Sequence, residues 1–181
     1  VDVEKAFFSP RLSTERERIA GLVKDGEVII NMFGGVGMFS LLAAKDTACT
    51  VYNIDLNPVA AQLCKENAQI NKLKGEVISL NGDATKVIDE QLSGKADRVL
   101  MLLPERSDEF LDSALNGLKN KGIIHYYSHM HADKKQDAPK LSEEHFMSVN
   151  KTNAEIITSR NVRPVGPRFY QTVVDVKISK N

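Results

Sequence analysis

The stretch from Glu27 to Ser40, Glu-Val-Ile-Ile-Asn-Met-Phe-Gly-Gly-Val-Gly-Met-Phe-Ser, narrows what this chain can fold into more than any other. Val28 to Ile30 reads as a short buried strand, and Gly34, Gly35 and Gly37 free the backbone to turn tightly and approach a ligand. Met38 to Ala44 is a helix-forming run. The glycines therefore lie between a strand end and a helix N-terminus, where backbone N–H groups converge. That geometry suits a nucleotide-type ligand, although a glycine turn can also do no more than join strand to helix.

The next two segments favour the ligand. Thr50 to Ile54 is a second apolar run and ends in Asp55, the position that hydrogen-bonds ribose hydroxyls in nucleotide-binding α/β sheets. Glu76 to Leu80 is a third run, ending in Asn81-Gly82-Asp83, where a carboxylate can meet an adenine amino group. Three strand ends then point at one ligand.

With 181 residues, 42% of them hydrophobic, the chain can bury one sizeable core. No apolar run approaches the roughly eighteen residues that span a bilayer, and Asp2, Glu4 and Lys5 interrupt any signal-peptide core, so we expect no membrane association. Cys49 and Cys64 lack metal-ligand spacing and read as reduced core thiols of a cytoplasmic protein. The formal net charge is zero, so nucleic-acid binding must rest on local basic clusters. A start directly at an element, Ala6-Phe7-Phe8-Ser9-Pro10, leads us to expect a further region upstream.

The first helix is expected to be capped by Ser9 with Pro10 as its first residue, or to be capped by Ser13 or Thr14 and start one turn later, with Leu12, Ile19 and Leu22 or Val23 facing the sheet. Its charged residues, Glu15, Arg16, Glu17 and Arg18, read from spacing alone as a solvated face laced with ion pairs. Further helices are expected over Pro58 to Asn71, Thr85 to Leu92, Ser107 to Leu118 and Leu141 to Asn153. Strands are expected over Asp97 to Leu103 and Gly122 to Ser128, and the alternation implies a parallel sheet. Ala154 to Arg160 and Gln171 to Ser179 then read as two strands joined by a Pro/Gly-rich loop with no helix between, hence antiparallel. A seven-stranded, mostly parallel α/β sheet with helices on both faces and a C-terminal antiparallel hairpin resembles the Rossmann-like fold of class I S-adenosylmethionine-dependent methyltransferases.

Six motifs in order carry a closer resemblance. Phe7-Phe-Ser-Pro-Arg-Leu-Ser-Thr-Glu-Arg16, Met32-Phe-Gly-Gly-Val-Gly37, Ile54-Asp-Leu-Asn-Pro58, Gly82-Asp83, Asp97-Arg-Val-Leu-Met-x-Leu-Pro104 and Ile124-His-Tyr-Tyr127 are similar to those of the tRNA (guanine-37-N1) methyltransferases of the Met-10+ type. The resemblance implies S-adenosylmethionine as cofactor, held by Asn31, Phe33, Gly34, Gly35, Gly37, Asp55, Leu56, Asp83 and Ala84. It implies a tRNA anticodon stem-loop as partner, a monomeric catalytic domain over residues 1–181, and an upstream region that helps hold the tRNA.

Methylating N1 of guanine requires a base near N1 and a donor for the charge that builds on O6. The resemblance implies Glu15 as that base, Arg16 and Arg11 near O6 or the adjacent phosphates, and Phe7, Leu102, Pro104, His125 and Tyr127 on the substrate side. Two positions depart from the family's pattern: Asn31 stands where Asp is general, and Leu102 where Asn is general. Leu can only pack, whereas Asn can hold the polar edges of a flipped guanine. These departures keep open the related wybutosine-pathway aminocarboxypropyl transferases, and a cofactor-binding RNA module with little catalysis.

His125, His129 and His131 would share one strand face with Tyr127, but no carboxylate or Cys is spaced to complete a site, so no metal is expected. Lys134, Lys135, Lys140, Arg160, Arg163 and Arg168 are candidate phosphate contacts or ordinary solvated cations.

Overall fold

The computed structural model describes residues 10–180. Phe7, and the Ser9 start of the first helix, lie outside the described residues. A single seven-stranded sheet runs in the order β3-β2-β1-β4-β5-β7-β6. Its strands are β1 (Val28–Asn31), β2 (Thr50–Asp55), β3 (Glu76–Asn81), β4 (Ala96–Met101), β5 (Leu118–His131), β6 (Asn153–Gly166) and β7 (Phe169–Ser179). The first five pair in parallel, and β7 runs antiparallel to both β5 and β6.

Helices α1 (Ser13–Leu22), α2 (Met38–Lys45) and α3 (Pro58–Ile70) cover one face, where Ile19, Ile29, Phe39, Val51 and Leu100 pack together. On the other face lie α4 (Ala84–Val87), α5 (Ser107–Gly117) and α6 (Ala138–Val149), over a larger cluster that includes Ile30, Ile54, Val99, Leu111, Tyr126, Phe146 and Val176. The architecture read from the sequence is the one found. Among the described residues no helix is long and apolar enough to cross a membrane. Cys49 and Cys64 are free and buried.

The structure corrects several local expectations. Helix α1 follows a 3-10 turn over Pro10–Leu12, and no side chain caps it: neither Ser13 nor Thr14 is the cap. Val23, not Leu22, joins the core, since Leu22 stays 40% exposed. The expected helix over Thr85 to Leu92 is α-helical over Ala84–Val87 and continues as a π-helix over Ile88–Leu92. The expected Pro/Gly-rich loop is mostly strand. Pairing of β6 with β7 continues to Gly166 opposite Phe169, with register shifts at Asn161/Arg163 and Pro164/Gly166 absorbing the irregular residues. Arg168 takes a positive φ of 54° in the remaining turn.

Strand β4 ends with Met101 opposite Tyr126, whereas β5 continues to His131 paired along β7. The antiparallel trio thus rises above the ends of the parallel strands by about 16 Å, at ~3.3 Å per residue.

Candidate active site

In an open α/β sheet the ligand crevice lies outside the carboxyl ends of the strands, where the strand order reverses. Here that point lies between β1 and β4, tied together above their last pair by Met32 N–H donating to the Leu100 carbonyl at 3.2 Å. The glycine loop fills one side of it. Gly35 and Gly37 have φ of 53° and 88°, a left-handed region that other residues enter at a cost. Gly34 is required for another reason: a Cβ there would lie 2.0 Å from Asn53 Oδ1.

Asp55 props this loop. Its Oδ2 accepts from Gly35 N–H at 2.7 Å and its Oδ1 from Asn57 N–H at 2.9 Å. On the neighbouring strand end Asp83 caps α4, accepting from Lys86 N–H at 3.1 Å. Between them Leu56 is 72% exposed, a bare apolar surface flanked by two carboxylates. Phe33 packs edge-on against Phe110 of α5, with centroids 4.8 Å apart, and Ala84 is buried beneath the start of α4.

Asn31 is fully buried beneath the loop. Its Nδ2 donates to Ser40 Oγ at 3.1 Å, Ser40 donates to Asn53 Oδ1 at 2.7 Å, and Asn53 Nδ2 donates to the Gly35 carbonyl at 3.2 Å. Asn31 Oδ1 has no hydrogen-bond partner among the described residues. It is a spare acceptor at the end of β1.

The opposite side of the crevice is ionic. Glu15 is 2% exposed, which overturns the expectation of a solvated helix face. Its Oε1 accepts from Tyr127 O–H at 2.6 Å and from Arg18 NH2 at 2.7 Å, and its Oε2 accepts from Arg18 Nε at 3.0 Å. Arg160, from β6, stands 3.7 Å from Oε2. Arg18 also donates to Asp175, Asp175 meets His125 Nδ1 at 2.6 Å, and His125 Nε2 meets Arg98 NH1 at 2.7 Å. Arg98 closes the chain by donating to Glu27 and to the Leu22 carbonyl. Burial pushes the Tyr127 hydroxyl far above its ordinary pKa and holds His125 below its own, so both stay neutral.

Known proteins are similar to this chain in sequence and in fold. The family model of the TRM5/TYW2 methyltransferase domain matches residues 1–157. This chain belongs to that family. It is 39% identical over 181 residues to the tRNA (guanine(37)-N(1))-methyltransferase Trm5b of Methanocaldococcus jannaschii, covering 99% of this chain and 49% of the relative. It is 40% identical over 178 residues to the tRNA 4-demethylwyosine(37)-methyltransferase Taw21 of Saccharolobus solfataricus, covering 98% and 64%. The crystal structure of Methanocaldococcus jannaschii Trm5 in complex with adenosine matches with a TM-score of 0.81 and 37% identity, over 100% of this chain and 53% of that one. The complex of aTrm5 and tRNALeu matches with a TM-score of 0.83 and 35% identity, over 99% and 49%. The chain spans about half the length of these Trm5 relatives.

In this TRM5/TYW2 domain the expected residues fall into two groups and some outliers. The glycine loop, Asp55, Leu56, Asp83 and Ala84 gather at the ends of β1, β2 and β3. Glu15 and Tyr127 meet just above the end of β4, beside Leu102, which packs into the apolar cluster of Ile19 and Phe39. His125 is corrected: fully buried and bonded through both ring nitrogens, it supports the site from behind and does not line it. Tyr127 is likewise buried and faces Glu15, leaving no surface for substrate. Arg16 turns away from Glu15 to a cavity of about 440 Å³ shared with Leu41, Lys45, Asn67 and Lys72, its guanidinium 5.6 Å from the Phe39 ring centroid. Arg11 is exposed on the 3-10 turn. Pro104 borders a second cavity, of about 660 Å³, under the raised trio with His129, His145 and Phe169. Among the described residues no three His, Cys, Asp or Glu side chains are grouped to hold a metal.

Sequence reasoning missed Arg18, Arg98 and Asp175. A signal was present: Arg98 interrupts Val-Leu-Met-Leu-Leu at its start, and Asp175 sits inside Val-Val-Asp-Val. Charges within strands this apolar must be paired when buried.

Proposed function

We propose that residues 1–181 form a catalytic domain that transfers a methyl group from S-adenosylmethionine to N1 of guanosine 37 in tRNA, next to the anticodon. The observation that carries this reading is the buried carboxylate of Glu15, held at the β4–β5 side of the crevice opposite the glycine loop. A carboxylate is what an N1–H acceptor needs as base, and the Trm5 relatives bear the names of such enzymes.

The residues at the crevice fit the cofactor. Asp55 keeps lone pairs for ribose hydroxyls beyond its two backbone bonds, and exposed Leu56 offers an apolar surface to a purine ring. No side chain caps the N-terminus of α2. When bound, S-adenosylmethionine supplies an electrophilic methyl group on a sulfonium leaving group. The protein's part is to orient guanine, exclude water and accept the N1 proton on Glu15. Oε2 is the oxygen with fewer hydrogen bonds: it accepts from Arg18 Nε alone, whereas Oε1 accepts from Tyr127 O–H and from two nitrogens of Arg18.

A second reading has an observation of its own. Leu102 presents only carbon where a guanine-holding amide was expected, and a relative acting on tRNA 4-demethylwyosine(37) is 40% identical to this chain. A tricyclic guanosine derivative is a larger and more apolar acceptor. We further propose that the domain works as a monomer in the cytoplasm and meets the anticodon stem-loop through the raised β5–β7–β6 trio.

The test is single-turnover methyl transfer to unmodified tRNA and to tRNA carrying 4-demethylwyosine. Glu15→Gln should lower the rate by about 10²–10⁴-fold with cofactor affinity by calorimetry nearly unchanged. Full activity in that variant removes Glu15 as the base. Aminocarboxypropyl in place of methyl on the product would move the chain to the transferase branch.

A further inference from the structure

We propose that Arg18 is a positioning residue for Glu15, and that Asp175, oriented by the His125–Arg98 pair behind it, fixes the Arg18 guanidinium and through it the place of the Glu15 carboxylate. This rests on the reading of Glu15 as the base.

The hydrogen-bond polarity of the chain follows from one fact: a guanidinium only donates. Arg98 NH1 therefore donates to His125 Nε2, which must be the bare nitrogen, and the ring proton sits on Nδ1 and is donated to Asp175 Oδ1. The imidazole is neutral and fixed in one tautomer. Asp175 is thus held as a carboxylate whose other bonds come from Arg18, at 2.5 Å and 3.2 Å. Arg18 in turn divides one guanidinium between two carboxylates, Asp175 and Glu15.

That division matters for the chemistry. Asp175 grips one edge of the Arg18 guanidinium while Glu15 takes another, so the planar fork that holds Glu15 is fixed from both sides. The other groups facing Glu15 are Tyr127 O–H from β5 and half-exposed Arg160 from β6. Proton transfer would break the N1–H bond and form O–H on Glu15; the electron pair left on N1 would form the N–CH3 bond as the C–S bond of the sulfonium breaks, its pair returning to sulfur in the departing S-adenosylhomocysteine. Because buried ion pairs gain little over apolar packing, stability alone does not account for a chain of this length.

The experiment uses isosteric changes in the protein and single-turnover methyl transfer from about pH 4 to pH 9, with cofactor affinity and thermal midpoint recorded for each variant. Asp175→Asn weakens the hold on Arg18, so the plateau rate should fall by about tenfold or more with the cofactor dissociation constant unchanged. Arg18→Lys keeps the charge but loses the fork, and should cut the plateau by about 10–10²-fold with the cofactor dissociation constant unchanged. Variants that bind cofactor yet keep the wild-type plateau would overturn the proposal. Nitrogen NMR of the wild-type protein gives a check independent of any variant. A His125 ring protonated on Nδ1 alone through neutral pH is expected, and a proton on Nε2 would overturn the polarity on which the chain depends. Glu15→Gln, run alongside, reports on the base itself. A loss there with no effect at Arg18 or Asp175 sinks only the chain, whereas full activity there sinks both.

Discussion

From β1 to β3 the crevice is shaped by backbone and by side chains that are missing, whereas from β4 to β6 it is shaped by buried ions. In the first region Gly34 leaves room for Asn53, Asp55 accepts from the loop's own N–H, and Asp83 caps a helix. Its carboxylates stay near water and are satisfied by neutral donors. In the second region four charged side chains, Glu15, Arg18, Asp175 and Arg98, are threaded through a neutral histidine. The first can exchange its partners for a ligand at small cost, because a carboxylate has lone pairs to spare. The second cannot lose a member without stranding a charge, which suits a place where one carboxylate has to be held still.

Four perturbations would break or sharpen this contrast. The largest effect is expected from Arg98→Met, which leaves His125 and Glu27 without their cation. It should cost about 3–5 kcal/mol in denaturant unfolding, toward the lower end because Glu27 keeps some access to water. If it costs no more than Asp83→Asn in the other region, the contrast is wrong. Gly34→Ala should destabilise by about 1–3 kcal/mol, because the added methyl must displace Asn53 from its bonds to Ser40 and Gly35. An unchanged thermal midpoint would mean that the loop is not packed as described.

Protons give the third. The Asp175 carboxyl, near pKa 2 because the hydrogen bonds from His125 and Arg18 and the charge of Arg18 outweigh its burial, lies below its unfolded value. Its contribution of about 2 kcal/mol is therefore present above about pH 4 and is lost as pH falls toward 2. His125, depressed by burial, binds its proton more readily when unfolded, so stability also declines as pH falls below about 6.5. Thermal midpoints across pH should show both declines, and Asp175→Asn should flatten the lower one. The smallest effect is expected from Leu102→Asn, about tenfold in single-turnover rate: a gain on guanosine and a loss on the tricyclic acceptor. No change on either substrate would place Leu102 outside the acceptor's reach.

The same contrast decides what could be read in advance. The glycine loop and its props lie close together in sequence, Gly35 and Asp55 only 20 residues apart, so motif and spacing located them. Glu15 and Tyr127 are 112 residues apart and Arg18 and Asp175 are 157 apart, so no local pattern could pair them. Four charged residues in a row on a helix look solvated until the face they meet is known. His125 misled for a related reason: a histidine at a strand end near a crevice points either outward or into the sheet, and alternation alone does not say which.

Gly37 carries one more consequence. Cys64 of α3 lies directly beneath it, so close that a methyl group on Gly37 would come within 2.5 Å of the sulfur. Burial raises the Cys64 thiol to about 11, leaving almost no thiolate at neutral pH and no path for a reagent while the loop is down. The thiol is therefore a reporter on the packing beneath the loop: an alkylating reagent can reach the sulfur only when the structure around it, the glycine turn included, opens. Anything that settles on the turn from the crevice side slows that reaction, so occupancy of the site can be read from underneath without touching the ligand.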